Sequence, residues 1–72
     1  MFLYLKNNLI NVDMIKSFYI DRENVYLVYS NNYQTFIKFS NEQEAKENFE
    51  KILVHLVHKD NVIDLSLGKF YG

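Results

Sequence analysis

The chain lacks cysteine and proline altogether, and it has only two glycines among its 72 residues. Without cysteine, neither a disulfide nor a thiolate metal site can stabilise the fold, although small domains often depend on one or the other. Both glycines stand near the C-terminus, so the sequence contains no glycine-rich loop for a phosphate and no Pro- or Gly-rich linker. We therefore expect a single small domain, residues 1–72, whose elements follow one another closely.

Neither positive nor negative charge is in large excess, because eight basic and nine acidic residues leave a net charge of −1. A protein without excess positive charge does not attract phosphates over its whole surface, which disfavours nucleic acid as a partner. The first apolar run, residues 1–5, is too short for a membrane span or a signal sequence. We expect a cytoplasmic protein with no membrane partner.

Amino-acid usage carries a signal about the genome. Phe, Tyr, Met, Ile, Asn and Lys, whose codons are AT-rich, supply 36 of the 72 residues, whereas Gly, Ala, Arg and Pro, whose codons are GC-rich, supply 4. This bias indicates an AT-rich bacterium, or one of its phages or plasmids, as the source. It also explains why Asn occupies turn positions where Gly would be expected.

Short β-branched and aromatic runs, separated by polar pairs, predict strands in the first half of the chain. Two Asn-Asn pairs, at positions 7–8 and 31–32, suit two-residue hairpin turns because Asn tolerates the left-handed backbone region. Across the second pair, Ser30 is predicted to lie opposite Tyr33. The predicted strands are residues 2–6, 9–11, 14–20, 25–30 and 33–39, and residues 62–67 form a possible further strand or arm.

One helix, residues 41–58, is predicted after these strands. Ser40 with Gln43, or Asn41 with Glu44, forms a capping box at its start. Apolar residues at a 3.6-residue period predict one buried stripe, formed by Ala45, Phe49, Ile52, Leu53 and Leu56. The predicted fold class is α+β: an antiparallel meander of four to five short strands, one long amphipathic helix across one face, and a short final strand or arm.

Both faces of this predicted sheet carry large apolar side chains, although the chain supplies one helix to cover them. The predicted register groups Tyr26, Val28, Tyr33, Ile37 and Phe39 on one face. The apolar residues on the other face would form a larger exposed patch than a monomer usually shows. Three ways of covering it are open: the sheet closes into a barrel, residues 62–67 fold over it, or a second chain docks on it.

The leading hypothesis is a non-enzymatic protein-interaction module that forms a homodimer through the uncovered face or through edge-strand pairing. Another protein is the alternative partner, and an accessory or inhibitory role for a phage or mobile element fits the small size and the codon bias. The candidate interface residues are Phe18, Ile20, Val25, Leu27, Tyr29, Phe36, Phe70 and Tyr71.

Single-stranded nucleic acid is the alternative ligand, because aromatic side chains on a sheet can stack on bases. Lys16 and Lys38 are the only cations expected within the sheet, which is few for phosphate contacts. The aromatic residues considered are Phe18, Tyr19, Tyr26, Tyr29 and Phe36.

Metal binding and catalysis have little support in the sequence. His55 and His58 are spaced i, i+3 on the helix, so they are the only metal-ligand candidates, with Asp60 and Asp64 nearest to them. Histidines near a helix C-terminus more commonly interact with the helix dipole. No serine or threonine lies in a motif that would activate it, and we expect no metal, no cofactor and no enzymatic activity.

Overall fold

The computed structural model describes residues 1–58 and 61–72 and has the predicted α+β class. Most predicted elements are present, with ends within one or two residues of those expected. In chain order the elements are β1 (Phe2–Leu5), β2 (Asn8–Asn11), a 3-10 turn (Val12–Met14), β3 (Ile15–Asp21), β4 (Asn24–Tyr29), β5 (Gln34–Lys38), α1 (Glu42–His58), β6 (Val62–Asp64) and β7 (Lys69–Tyr71).

The strands divide between two sheets rather than forming one meander. The four-stranded sheet has the order β3-β4-β5-β7 and is antiparallel throughout. The three-stranded sheet has the order β2-β1-β6, and its β1–β6 pair is parallel. Only the first half of the possible strand or arm at residues 62–67 is a strand, β6, while β7 was not predicted and extends the larger sheet at the edge beside β5.

The hairpin between β4 and β5 differs from the predicted one by one residue. Tyr29 N donates to Tyr33 O over 2.8 Å, and Asn32 N donates to Tyr29 O over 2.9 Å. The loop therefore contains three residues, 30–32, and Ser30 does not pair with Tyr33. Asn32 supplies the left-handed residue of this loop, with φ 69°.

This one-residue difference moves every side chain of β5 to the opposite face, because side chains alternate along a strand. Phe36 pairs with Tyr26, and Ile37 pairs with Val25. The predicted grouping of Ile37 with Tyr26 on one face is therefore wrong. With the observed register the apolar residues Val25 and Ile37 lie on the inner face.

The core lies among the inner face of the four-stranded sheet, the helix and the three-stranded sheet. All three contribute to one cluster of buried side chains, so the chain covers the inner face itself. The buried apolar residues are Leu3, Leu5, Ile10, Val12, Val25, Leu27, Ile37, Phe39, Ala45, Ile52, Ile63 and Leu65.

The helix begins where its local signals predict. Asn41 Oδ1 accepts a hydrogen bond from Glu44 N over 2.8 Å, and Glu44 Oε1 accepts one from Ser40 N over 3.1 Å. Of the two predicted capping pairs, Asn41 with Glu44 is therefore the one that forms. No helix in the described part of the chain has the length and apolar character that a membrane span requires.

The predicted stripe of the helix packs in the core except at one position. Ala45 and Ile52 are buried, and Phe49 and Leu56 pack against the core. Leu53 is instead 46% exposed, and Asn48 is buried. Leu53 lies about 100° round the helix from Ile52, which takes it away from the sheet. Asn48 is tolerated in the core because its Nδ2 donates to Glu44 O over 2.8 Å.

Candidate functional site

The eight predicted interface residues do not form one surface. Only Phe36 and Tyr71 lie on the outer face of the four-stranded sheet, the side opposite the core. Val25 and Leu27 are fully buried within the single chain. The remaining four pack against the core, and they are Phe18, Ile20, Tyr29 and Phe70.

The outer face carries one aromatic side chain from each of its four strands, all at the same level. Tyr19 pairs with Tyr26, Tyr26 pairs with Phe36, and Phe36 pairs with Tyr71. We call these four residues the aromatic row. Tyr19 is 42% and Tyr71 39% exposed, and the two central rings are half-buried. The described part of the chain thus leaves the row open to solvent.

Within the aromatic row the rings stack on one another. The Tyr19 and Tyr26 ring centroids are 4.8 Å apart with planes 7° from parallel, and those of Phe36 and Tyr71 are 4.9 Å apart at 9°. Between the two pairs, Tyr26 and Phe36 are 5.4 Å apart and tilted by 39°. Such cross-strand pairs stabilise a sheet by about 0.2 to 1 kcal/mol each. The ring faces therefore contact neighbouring rings.

A hydrogen bond further fixes one end of the aromatic row. The hydroxyl of Tyr19 donates to Gln34 Oε1, two strands away, over 2.8 Å. Gln34 belongs to the next row of outer-face side chains, which it shares with Ser17 and Val28. This contact fixes the position of the Tyr19 ring across β4, so the row is an ordered surface.

A charged row lies on the other side of the aromatic row. Asp21 pairs with Asn24, Asn24 with Lys38, and Lys38 with Lys69. We call these four residues the charged row. Its acid lies at the β3 edge and its two lysines lie side by side at the β5–β7 edge. Lys69 Nζ also lies 5.5 Å from the centre of the Tyr71 ring, a cation–π distance.

Only two residues of the aromatic row, Phe36 and Tyr71, were predicted as interface residues. Tyr19 and Tyr26 were considered only as base-stacking residues and were not among the interface candidates. The missing signal was the length of the loop after β4, since a three-residue loop ending in a left-handed Asn would have brought Phe36 beside Tyr26.

The two histidines lie near the end of α1, where the described residues bring no metal cluster together. His55 is partly buried and His58 exposed near the end of α1. Within residues 1–58 and 61–72, no group of three or more His, Cys, Asp or Glu side chains could hold a metal ion. Asp64 instead accepts a hydrogen bond from Ser66 N over 2.9 Å. The other predicted ligand, Asp60, lies outside the described residues.

A groove of about 370 Å³ lies between the β1–β2 turn and the segment that leads into β7. All of its polar side chains are exposed, so it lacks the desolvated groups that active sites use to shift pKa values. Its lining residues are Leu5, Lys6, Asn7, Asn8, Ser66, Gly68, Lys69 and Phe70.

A second exposed apolar group lies on the three-stranded sheet. Phe2 and Tyr4 of β1 are 37% and 44% exposed, and Leu9 and Val62 on the flanking strands are more exposed still. This sheet is narrower, and Asn11 and polar Asp64 interrupt its two rows. Its apolar side chains are at least as exposed as those of the aromatic row, but they do not form one unbroken row across the sheet.

Comparison with known proteins matched no family model, no curated protein and no solved structure.

Proposed function

We propose that this protein is a non-enzymatic interaction module that forms a homodimer through the outer face of its four-stranded sheet. The observation that carries the proposal is the aromatic row, which crosses every strand of the sheet and is open to solvent. Aromatic side chains fixed by their neighbours bind at low cost in conformational entropy, which is why they dominate protein interfaces. A second copy is the partner that we propose.

The ring geometry supports a protein partner over a nucleic acid. Base-stacking surfaces present ring faces to solvent, because a base must lie flat on a ring. Here the faces of Tyr26 and Phe36 are taken up by the flanking rings, at 4.8 and 4.9 Å. Ring edges and hydroxyl groups remain for the partner, and these suit the side chains of another sheet.

The size of the face supports a dimer of modest affinity. Four strands about 4.8 Å apart and a five-residue strand of about 17 Å give a footprint of about 300 Å². With side-chain relief, a face-to-face pair buries on the order of 1,000 Å² in total, the low end for a specific interface. We therefore expect a dimer weaker than those of standard-size interfaces.

Edge-strand pairing, the other predicted mode of dimerisation, has less support. At one edge of the larger sheet, β7 has three residues. At the other edge, β3 is interrupted between Ile15 and Ser17 by a bulge at Lys16. Bulges and short edge strands are devices that discourage pairing with another chain.

The test is the molar mass of the protein in sedimentation equilibrium across a concentration series. Phe36→Asp and Tyr19→Asp place a charge in the aromatic row. Phe36→Asp should weaken the dimer at least about 30-fold, the effect of losing a central contact worth about 2 kcal/mol, and Tyr19→Asp, on an edge strand, should weaken it as well. Circular dichroism should show that each variant is folded.

Tyr4→Asp is the matched control, because Tyr4 is a strand tyrosine of nearly the same exposure as Tyr19, 44% against 42%, on the other sheet. It should leave the dimer unchanged. A dimer that dissociates with Tyr4→Asp and survives Phe36→Asp would contradict the proposal and assign the interface to the three-stranded sheet.

Single-stranded nucleic acid is the second candidate, favoured by the two adjacent lysines of the charged row, Lys38 and Lys69. It predicts binding of a labelled oligonucleotide that weakens with added salt and with Lys38→Ala. Under the homodimer proposal, the same titration gives no saturable binding at salt concentrations near 150 mM. The cytoplasmic location and the accessory role in a phage or mobile element are proposals that rest on composition alone.

A further inference from the structure

We infer that the two-fold axis of this homodimer runs parallel to the strands, between β4 and β5, so that Asp21 of one protomer faces the partner's Lys69. The inference rests on the proposed homodimer and specifies how the two copies meet. It follows from the registers of the sheet and from the positions of its charges.

The outer face is a grid whose columns are the four strands and whose rows are set by the registers. The middle row is the aromatic row, and the charged row lies on one side of it. In a face-to-face dimer with two-fold symmetry whose sheets pack in the aligned arrangement, the axis lies between the sheets and runs close to the strand direction or across it. The two choices bring different residues together.

Rotation about an axis along the strands reverses the order of the strands in the facing sheet and sets each row against the same row of the partner. It places β3 against the partner's β7 and β4 against the partner's β5. Asp21 then faces the partner's Lys69, Asn24 faces the partner's Lys38, and Tyr19 faces the partner's Tyr71. By symmetry each contact occurs twice, so Asp21 and Lys69 of both protomers each meet an opposite charge.

An axis across the strands exchanges the two outer rows instead. Asp21 would face the partner's Ser17, and Lys38 would face the partner's Gln34. Neither the acid nor the lysines would then meet an opposite charge. Charge complementarity selects the axis along the strands, and the mutual rotation of about 30° usual for packed sheets is within the reach of a lysine side chain.

The charges of the single chain are left unbalanced in a way that this arrangement corrects. Lys38 and Lys69 lie directly opposite each other on neighbouring strands, a like-charge pair that destabilises a sheet. Asp21 is three strands from Lys69, about 14 Å away, beyond the screening length at physiological salt. The acid of this face therefore reaches its lysines only across a dimer interface.

A charge exchange tests the inference. Asp21→Lys and Lys69→Asp are made separately, and each homodimer then contains two like-charge contacts. Sedimentation equilibrium should show each variant to dimerise at least about tenfold more weakly than the wild type. When the two variants are mixed in equal amounts, both contacts in the mixed dimer are between opposite charges, and its affinity should return to within about threefold of the wild type.

The outcomes separate this inference from the proposed function. If the wild type dimerises and Phe36→Asp abolishes the dimer, but mixing the charge variants restores nothing, the face is the interface and the axis along the strands is wrong. If the wild type is a monomer at every concentration up to about 1 mM, both proposals fail, since a specific interface is stronger than that. Recovery only in the mixture supports both.

Discussion

Replacing Gly68 by alanine should destabilise the protein strongly, because its neighbours leave no room for a side chain. An added Cβ would lie 2.3 Å from Cγ2 of Ile37 and 2.9 Å from Cε1 of Phe39. Both of these residues are buried, at 0% and 2% exposure, so neither can move aside without disturbing the core. Gly68 also leads into β7, so a shift here displaces the strand that carries Tyr71.

The expected loss is the cost of overpacking, about 1 to 3 kcal/mol, from a total stability of roughly 4 to 10 kcal/mol for a domain of this size. The melting temperature should fall by roughly 5 to 20 °C. Urea denaturation at one fixed protein concentration measures the loss, since a dimer makes stability depend on concentration. Dimer affinity should fall as well, because Tyr71 completes the aromatic row.

Gly72→Ala is the matched control for this prediction. Its Cβ would lie 2.7 Å from Cε2 of Phe70, but Gly72 is exposed and lies outside the strands, and the contact is the far end of one side chain, so a small shift relieves it. The control should be within about 0.5 kcal/mol of the wild type. If Gly68→Ala is equally stable, Gly68 does not pack against Ile37, and the path of the chain into β7 is not the one described.

Two further substitutions test local features. Asn41→Ala removes the hydrogen-bond acceptor for Glu44 N and should cost about 1 kcal/mol in urea denaturation, whereas Asn41→Ser should retain most of that stability. Hydrogen bonds from the Ser66 side chain, and then from Ser66 N, hold the pKa of Asp64 below its ordinary value of 3.8. The charged form of Asp64 therefore stabilises the fold. This stabilisation is complete above pH 3.8 and is lost as the pH falls through the lowered pKa. Asp64→Asn and Ser66→Ala should therefore be less stable than the wild type at pH 6, with a difference that narrows below pH 3.8, and a difference independent of pH would contradict the assignment.

The parts of the fold that depend on neighbouring residues were predictable from the sequence. The start of α1 follows from Asn41 and Glu44, which are three positions apart. The Asn41 side chain accepts from Glu44 N, and the Glu44 side chain accepts from Ser40 N. The strands follow from short runs with high β propensity. In both cases the signal and the structure it specifies lie within a few residues, so no knowledge of the rest of the chain is needed.

The remaining features depend on residues far apart in the sequence. Leu3 of β1 pairs with Ile63 of β6, and nothing near either residue specifies the other. The three-residue strand β7 is too short to show an alternating pattern. Its place beside β5 comes from burial of Phe70 against the core.

The candidate surface was predictable only in part for a related reason. Phe36 and Tyr71 were among the predicted interface residues, but the neighbours of Phe36 depend on the register, and the strand of Tyr71 was not predicted. Asn31 and Asn32 suit either a two-residue turn in which both are left-handed or a three-residue loop in which Asn32 alone is, and the two registers differ by one residue. That one residue decides whether Phe36 lies beside Tyr26 or against the core.

The most direct test of the proposed interface is an isotope-filtered nuclear Overhauser experiment on a dimer assembled from labelled and unlabelled protomers. It detects only contacts between chains. The homodimer proposed here predicts contacts between the ring of Tyr19 and the ring of the partner's Tyr71. Contacts from Phe2 and Tyr4 without any from the aromatic row, or no contacts between chains at concentrations where the molar mass is that of a dimer, would contradict it.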